Sequence, residues 1–361
     1  MVKKASIVRL PPKSNLEILL ARSAQASLVL LGLIGFIYAL AAAEYILAPV
    51  TLGVVIGLMV GPVANKLEAH GLAPAFSASI VLLLFILTAC LFLLALATPL
   101  SFWLDRLPLI WADLKLQLSE IKEPFEALNG MRDQLRELTG NEDVTVSVDE
   151  GMGVESVATL APAFIGQILL FFASLYFFVA TRHQTRTAIL TLCFNRRLRW
   201  RVAHIFRDVE ELVSRYLLSI SIINVLEGAA VGVGLYLIGV PSAILWGSLA
   251  ALTNFVVFIG PAVMVVVLLI VGLAEFDTLG GSLLPVVVYL CINLIEAQFV
   301  TPMVIGRTLA MNPFIVLLAL VFWIWLWGPL GGFIAIPALL VVYAVIRNTV
   351  PGVNWGIDHS D

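Results

Sequence analysis

The sequence predicts an all-α integral membrane protein with about six full transmembrane helices and two broken or re-entrant helical hairpins, which makes about eight membrane segments. Two observations predict this fold class. The 361 residues are 61% hydrophobic and only 12% charged, whereas ordinary soluble domains are roughly 45–50% apolar and about 25% charged. Several apolar runs also reach the roughly 20 residues that a helix needs to cross about 30 Å of hydrocarbon. The lipid bilayer is therefore the expected partner of most of the chain.

Basic and acidic residues are unevenly distributed along the chain, and their distribution predicts its orientation. Residues 1–27 contain five basic residues and one acid, and residues 181–215 contain eight arginines and three acids. Residues 101–160 contain five basic and twelve acidic residues. Because cytoplasmic loops of membrane proteins carry an excess of Lys and Arg, the first two segments are expected inside the cell and the third outside. We predict a multi-pass protein of the bacterial inner membrane, with the N-terminus and the 348–361 tail both cytoplasmic.

The N-terminal membrane region is predicted to span residues 28–100. Residues 28–61 contain a central Pro49 and are too long for one span, so two tightly coupled helices are expected there. Residues 76–98 then cross outward, and residues 161–180 return. A signal peptide cut after residues 39–43 is an alternative, but the apolar run resumes at Tyr45.

The acidic segment 101–160 is predicted to form an amphipathic helical insert outside the membrane. Its apolar residues between Leu104 and Leu128 alternate spacings of three and four, which is a heptad pattern. Pro108 and Pro124 argue against one straight coiled coil, so the helix is expected to be kinked and to lie on its own protein or on a neighbouring subunit. This apolar seam predicts a homo-oligomer.

The arginine-rich segment 181–215 mixes arginines with aromatic and aliphatic residues at helical spacing. This pattern is typical of an amphipathic helix on the inner leaflet. A nucleic-acid partner is not expected, because the segment lies between membrane spans and cannot reach a duplex freely.

Residues 216–347 form the predicted transport core, which consists of two halves with the same layout. In the first half, the span 216–238 precedes two short apolar segments that meet at a Gly260–Pro261 tip; in the second, the span 283–300 precedes two segments that meet at Gly328–Pro329. The leading helices run in opposite directions, so the halves are predicted to be inverted repeats, a feature of transporters. The alternative is a chance match between ordinary pairs of short spans.

Each leading helix carries an Asn-x-x-Glu motif in its apolar sequence, and these motifs are the predicted transport and proton-coupling residues: Asn224 with Glu227, and Asn293 with Glu296. An ionised carboxylate at bilayer depth costs at least about 2.5 kcal/mol, so such a group must face protein, a water-filled cavity or a proton. Each pair could instead be a hydrogen bond that packs helices together. Asn254, at the first hairpin tip, would offer an amide to a polar ligand or satisfy the broken helix end.

The C-terminal motifs resemble those of the autoinducer-2 exporter family. "IEAQFVTPMVIGRTLAMNPFIVLLAL" and "WGPLGGFIAIPALLVV" are similar to the family pattern, and so is "GVPSAILWGSLAALTNFVVFIGP", although Val257 stands where members usually have proline. That departure leaves Gly260–Pro261 alone to break the first hairpin. The matching or hairpin positions, expected to have gating or structural roles, are Pro261, Pro302, Gly306, Arg307, Pro313, Gly328, Pro329, Gly331, Gly332 and Pro337.

The resemblance implies a permease that exports a quorum-sensing signal, whereas other members have been linked to sodium or lithium exchange for protons. It also implies a homo-oligomer, with a pentamer as a candidate state, and gives Glu296 more weight than Glu227. Arg307 is expected to pair with Glu296 or to anchor at lipid phosphates. No cofactor and no metal site are expected.

Enzyme functions find no support in the sequence. No HExxH, Walker motif or cysteine cluster is present, and the four histidines fall in polar segments. Three hypotheses remain: a secondary transporter for a small polar solute or a monovalent cation, with or without proton coupling; a passive channel; and a membrane scaffold.

Overall fold

The structure, a computed structural model, describes residues 15–136, 154–276, 278–305 and 312–349. These residues are helical throughout, apart from short connections, and contain no strand. Seven of the helices found in them are long and apolar enough to cross a membrane. The predicted fold class is confirmed.

The elements are α1 (Asn15–Ala42), α2 (Glu44–Ala69), α3 (Pro74–Arg136), α4 (Val154–Leu192), α5 (Arg196–Leu237), α6 (Ala243–Thr253), α7 (Ile259–Glu275), α8 (Leu279–Ile295), a π-helical turn (Glu296–Val300), α9 (Thr301–Ile305) and α10 (Pro313–Thr349).

The chain divides into two compact units, one up to residue 47 and one from residue 48 onward. In the first unit, α1 ends at Ala42, and Ala43 separates it from α2. Two helices are therefore present in the 28–61 region as predicted, but they do not separate at Pro49. This proline lies inside α2, because a proline removes one helical hydrogen bond and can bend a helix without ending it.

In the second unit, small residues on α2 allow α4 to pack closely. A Cβ added to Gly53 would lie 2.9 Å from Ser174 Cβ, and the Ser174 hydroxyl donates to the Val50 carbonyl at 2.9 Å. Further along, Arg182 donates to Asn65 Oδ1 and to a Glu68 carboxylate oxygen, both at 2.7 Å. Close backbone approach and side-chain hydrogen bonds are the usual means by which helices associate in a bilayer.

The helices α5 and α6 cross at glycines. A Cβ on Gly247 would lie 2.8 Å from the backbone nitrogen of Gly232, and one on Gly228 would lie 2.7 Å from Ala251 Cβ. Any larger residue at Gly247 would push the two helices apart. This crossing places the end of α6 beside the middle of α5.

The chain reverses direction at two breaks, which we call the first tip (residues 254–258) and the second tip (Trp327 and Gly328). Gly260 lies against the backbone of Thr253, and Gly331 lies against the backbone of Trp323. Residues eight apart in a continuous helix are about 12 Å apart along its axis, so contact between Gly331 and Trp323 requires a reversal. Each tip therefore joins two antiparallel apolar helices.

The first tip contacts the second hairpin about one turn after the second tip. A Cβ on Gly332 would lie 2.8 Å from Val256 Cγ1, and the rings of Phe255 and Phe333 are 5.2 Å apart between centroids. Both rings pack on an apolar cluster that includes Leu217 of α5. The ends of the two hairpins thus meet beside α5.

Several predictions concern residues outside the described ranges. These are Gly306, Arg307, residues 1–14, residues 137–153 of the acidic insert and the tail from residue 350. Most side chains of the predicted heptad seam also lie outside the described set, although the seam falls within α3. The predicted domain boundaries and the homo-oligomer remain predictions.

Candidate functional site

Five polar side chains predicted from the sequence lie close together in the core, in a group that we call the carboxylate cluster: Asn224, Glu227, Asn254, Asn293 and Glu296. Asn224 is 1% exposed, Glu227 4%, and Asn254 and Glu296 8% each, while Asn293 is half-buried. Asn293 of the second motif donates a hydrogen bond to Glu227 of the first motif at 2.9 Å. The two Asn-x-x-Glu motifs therefore form one site.

Glu227 accepts hydrogen bonds from two other helices. Asn254 is the residue at which α6 ends, and its side-chain amide donates to Glu227 Oε2 and, at 3.1 Å, to Asn224 Oδ1. Asn293 of α8 donates to Glu227 Oε1 at 2.9 Å. Asn224 and Glu227 can both take part because residues three apart on a helix share a face. Amide donors favour the ionised form of a carboxyl group, and they connect α5, the first tip and α8.

Glu296 has a different environment. It begins the π-helical turn, and its carboxylate accepts a hydrogen bond from the hydroxyl of Thr301, five residues later. The backbone N–H of Thr301 donates to the Glu296 carbonyl, which is the π-helical pattern. Pro302 follows and has no N–H to donate to the Gln298 carbonyl. Single π-helical turns are frequent at functional sites.

No basic side chain neutralises the cluster among the described residues. The ion pairs found there involve other acids, namely Glu68, Asp208, Glu211 and Glu275. Two ionised carboxylates buried without a counter-charge would be strongly unfavourable. If the described residues alone are considered, protons or a bound cation would have to balance these charges; Arg307 lies outside those residues. The described part of the chain contains no group of three or more His, Cys, Asp or Glu side chains that could hold a metal ion.

The predicted break of the first hairpin at Gly260–Pro261 is wrong in position. The break lies at residues 254–258, before α7 begins at Ile259, and Pro261 falls in the first turn of α7. A proline is tolerated there because first-turn N–H groups have no helical acceptor. Phe258, at φ +65° and ψ −47°, makes the bend: the Ile259 N–H donates to the Val257 carbonyl at 2.8 Å across it. This is a γ-turn, so no proline is needed at 257.

The second tip is broken where the sequence predicts. Gly328 has φ +57° and ψ −144°, and Pro329 begins the second half of α10. The other predicted structural positions lie near these breaks or at helix ends. Gly331, Gly332 and Pro337 are buried in the second half of α10, Pro313 begins α10, and Pro302 is exposed in α9.

Two polar residues near the cluster were missed by sequence reasoning. Thr301 donates a hydrogen bond to Glu296, and Tyr289 is fully buried on α8, one turn before Asn293. A signal for Tyr289 was available, because Tyr289, Asn293 and Glu296 follow the i, i+4, i+7 spacing of one helix face. Tyrosine in an apolar run is common, however, and the spacing alone does not separate a polar role from packing.

A separate cavity of about 1050 Å³ lies between α3, α5 and α6. Its lining includes Gly228 and Ala251, and most of its wall is apolar. It contains no acidic or basic side chain, so it offers no means of proton exchange.

Comparison with known proteins identifies a transporter family. The family model described as "AI-2E family transporter" matches residues 28–351. The AI-2 transport protein TqsA of Escherichia coli K12 is 31% identical over 149 residues, which cover 41% of this chain and 43% of TqsA. The candidate transport protein YhhT of the same organism is 24% identical over 354 residues, or 96% of this chain and 95% of YhhT. The candidate transport protein MT0215 of Mycobacterium tuberculosis is 23% identical over 341 residues, 92% of this chain and 90% of MT0215.

Proposed function

The chain belongs to the AI-2E transporter family, and we propose that it exports a small polar solute, such as a quorum-sensing signal, in exchange for protons that bind at the carboxylate cluster. Transport across the membrane is the activity that the family description states. The solute, the direction and the proton coupling are our proposal. It describes a transporter of the bacterial inner membrane and not an enzyme.

The observation that carries the proposal is the meeting of Glu227 and Glu296, one from each predicted repeat, in a single buried cluster. Neither has a basic partner among the described residues, and the proposal assigns the balance of their charge to an exchangeable ion. A proton is the smallest such ion, and intramembrane acids are typical of proton relays. We place the coupling proton on Glu296, because Glu227 is held by amides from two other parts of the core, whereas Glu296 accepts a hydrogen bond only from Thr301 of its own segment.

The contact between the first tip and the second hairpin suggests how proton binding would act on the solute pathway. Asn254 belongs to the first tip and donates to Glu227, while Val256 and Phe255 of the same tip contact Gly332 and Phe333. A change of charge in the cluster alters the hydrogen bond that holds the first tip. Movement of that tip would separate the two hairpins and open a path between them.

Purified protein in liposomes tests the proposal most simply. Flux of a panel of small polar metabolites is measured with and without an imposed pH gradient, with protein-free liposomes as the control. We expect the flux of at least one solute to follow the gradient and to collapse when a protonophore is added. Flux that is independent of the gradient would indicate a passive channel, and protein that carries none of the panel would favour a scaffold.

Exchange of a monovalent cation for protons is the second candidate. The cluster offers carboxylate, amide and hydroxyl oxygens, which are the ligands that hard cations prefer. The same liposomes would then release protons when Na⁺ or Li⁺ is added, in the absence of any organic solute. A proton signal that requires the organic solute would favour the first candidate.

The orientation and the assembly remain proposals with their own tests. Cysteine labelling in intact cells, in a variant without Cys90, Cys193 and Cys291, is expected to reach a cysteine at position 130 but not one at position 190. The reverse pattern would invert the topology. Replacing Leu114, Leu118 and Ile121 with Ser is expected to dissociate a homo-oligomer, and an unchanged mass in native mass spectrometry would place the seam within one subunit.

A further inference from the structure

Tyr289 is a buried polar group that the proposed function does not use. Its side chain is 0% exposed and packs in an apolar cluster that includes Val231, Trp246 and Met264. Its hydroxyl has no hydrogen-bond partner among the described residues. Most buried hydroxyls are hydrogen-bonded, because an unpaired one keeps the cost of leaving water. A tyrosine in such a position needs an explanation, since phenylalanine would fill the same space.

The surroundings of Tyr289 contain two acceptors of the right kind. Tyr289 precedes Asn293 by one turn and Glu296 by two, on the same face of α8 and its continuation. Asn293 in turn donates to Glu227 of α5 at 2.9 Å, so the Glu227 carboxylate also lies against this face of α8. Among the described residues, the other members of the apolar cluster, from α3, α5, α6, α7, α8 and the α5–α6 connection, carry no titratable group that could compete.

We propose that Tyr289 is a positioning residue for the carboxylate cluster: its hydroxyl, which has no partner in the described part of the chain, turns to donate a hydrogen bond to whichever of Glu227 and Glu296 is ionised, and so sets the pH at which the cluster releases its proton. The hydroxyl keeps its own proton throughout, so the proton that leaves comes from a carboxyl group. The inference rests on the proposed proton coupling. It adds a third group, on the second leading helix alone, to the pair of Asn-x-x-Glu motifs.

The test compares Tyr289→Phe with a matched variant, Tyr216→Phe. Tyr216 is also buried, but it lies on α5 in a separate apolar cluster with Val55 and Leu340, and neither glutamate acts on it. Gradient-driven flux is measured as a function of pH. Loss of a donor to an ionised carboxylate makes proton release harder, so Tyr289→Phe is expected to move the midpoint of the pH dependence upward by about one unit. Tyr216→Phe is expected to leave the midpoint unchanged.

A second measurement does not depend on flux. Infrared difference spectra recorded across a pH titration report the protonated carboxyl band directly, and Glu296→Gln and Glu227→Gln assign it. An upward shift of this band's midpoint in Tyr289→Phe supports the inference even if the variant transports poorly. A midpoint equal to that of Tyr216→Phe in both measurements overturns the role of Tyr289. If Glu296→Gln keeps wild-type coupled flux, the proposed coupling fails instead, and the infrared titration still decides whether Tyr289 acts on either carboxyl group.

Discussion

The two halves of the core carry the same motif in different surroundings. In the first half, Glu227 accepts hydrogen bonds from Asn254 and Asn293, so three segments of the chain depend on it. In the second half, Glu296 accepts a hydrogen bond from Thr301, a few residues along the same segment, within a π-helical turn. Equal spacing in the sequence therefore does not give equal roles. Glu227 connects helices, whereas the hydrogen bond that Glu296 accepts is local to its own segment.

The two tips also differ, in the type of residue that makes the bend. The second tip reverses through Gly328, a residue that adopts positive φ without strain. The first tip reverses through Phe258, an aromatic residue with φ +65°, which is strained backbone for a bulky side chain. Strain in the first tip, beside Asn254, makes this hairpin the one that is easier to displace.

The largest expected loss of stability comes from replacing the glycines at which each hairpin packs against itself, next to its tip. Gly260→Val and Gly331→Val place side-chain atoms against the backbone of Thr253 and Trp323, which cannot move without opening the hairpin. Each is expected to cost more than about 3 kcal/mol and to abolish folded protein. The measurement is the yield and thermal unfolding of purified protein. Gly280→Val is the matched control, because no atom lies within 4 Å of a Cβ at that position. Folded Gly331→Val with normal stability would show that Gly331 does not lie against the backbone of Trp323.

The two glutamates are expected to differ in their effect on stability. Glu227→Ala leaves the buried amide of Asn254 and the half-buried amide of Asn293 without their acceptor, and should cost about 3 kcal/mol of unfolding free energy. Glu296→Ala removes the partner of Thr301 alone and should cost about 1 kcal/mol. Denaturant or thermal unfolding in detergent micelles measures both. Equal losses of unfolding free energy would contradict the view that Glu227 connects several helices while Glu296 has only a local partner.

Exchanging the residues that make the bends is expected to have smaller effects of opposite sign. Phe258→Gly should stabilise the protein by about 1 kcal/mol, because it relieves positive φ at an exposed side chain. Gly328→Ala should destabilise it by about 1–3 kcal/mol, because φ +57° with ψ −144° is backbone that essentially only glycine adopts. Thermal unfolding of the two single variants checks the signs. A destabilised Phe258→Gly would mean that the aromatic ring contributes more than the bend costs.

The smallest effect on stability is expected from breaking the ion pair between the first hairpin and α3. Arg106 of α3 pairs with Glu275 at the end of α7, at 2.7 Å, with 46% and 21% of the side chains exposed. Exposed pairs contribute little, so Arg106→Gln should cost less than about 1 kcal/mol. The change should appear in unfolding measurements without altering coupled flux. A large loss of flux would make this contact part of the transport cycle.

The apolar runs predicted an all-helical, multi-pass membrane protein, because bilayer thickness and helix geometry constrain these features directly. They did not predict the position of the first bend. Phe258 adopts a conformation that its type disfavours, and only packing in the folded chain can hold it there. The hydrogen bond between Asn293 and Glu227 could not be predicted from the sequence either. Periodicity shows which residues share a face of one helix, but not which helix lies opposite that face.

Flux through Glu296→Gln is the measurement that tests the central claim most directly. Glutamine has the shape of the protonated acid but cannot release a proton. In liposomes, Glu296→Gln is expected to lower gradient-driven flux about 100-fold or more while the protein stays folded, with Glu296→Asp less impaired and Glu227→Gln reduced by less than about tenfold. Wild-type coupled flux in folded Glu296→Gln would contradict the account and leave Glu296 as a buried group that only packs its helix.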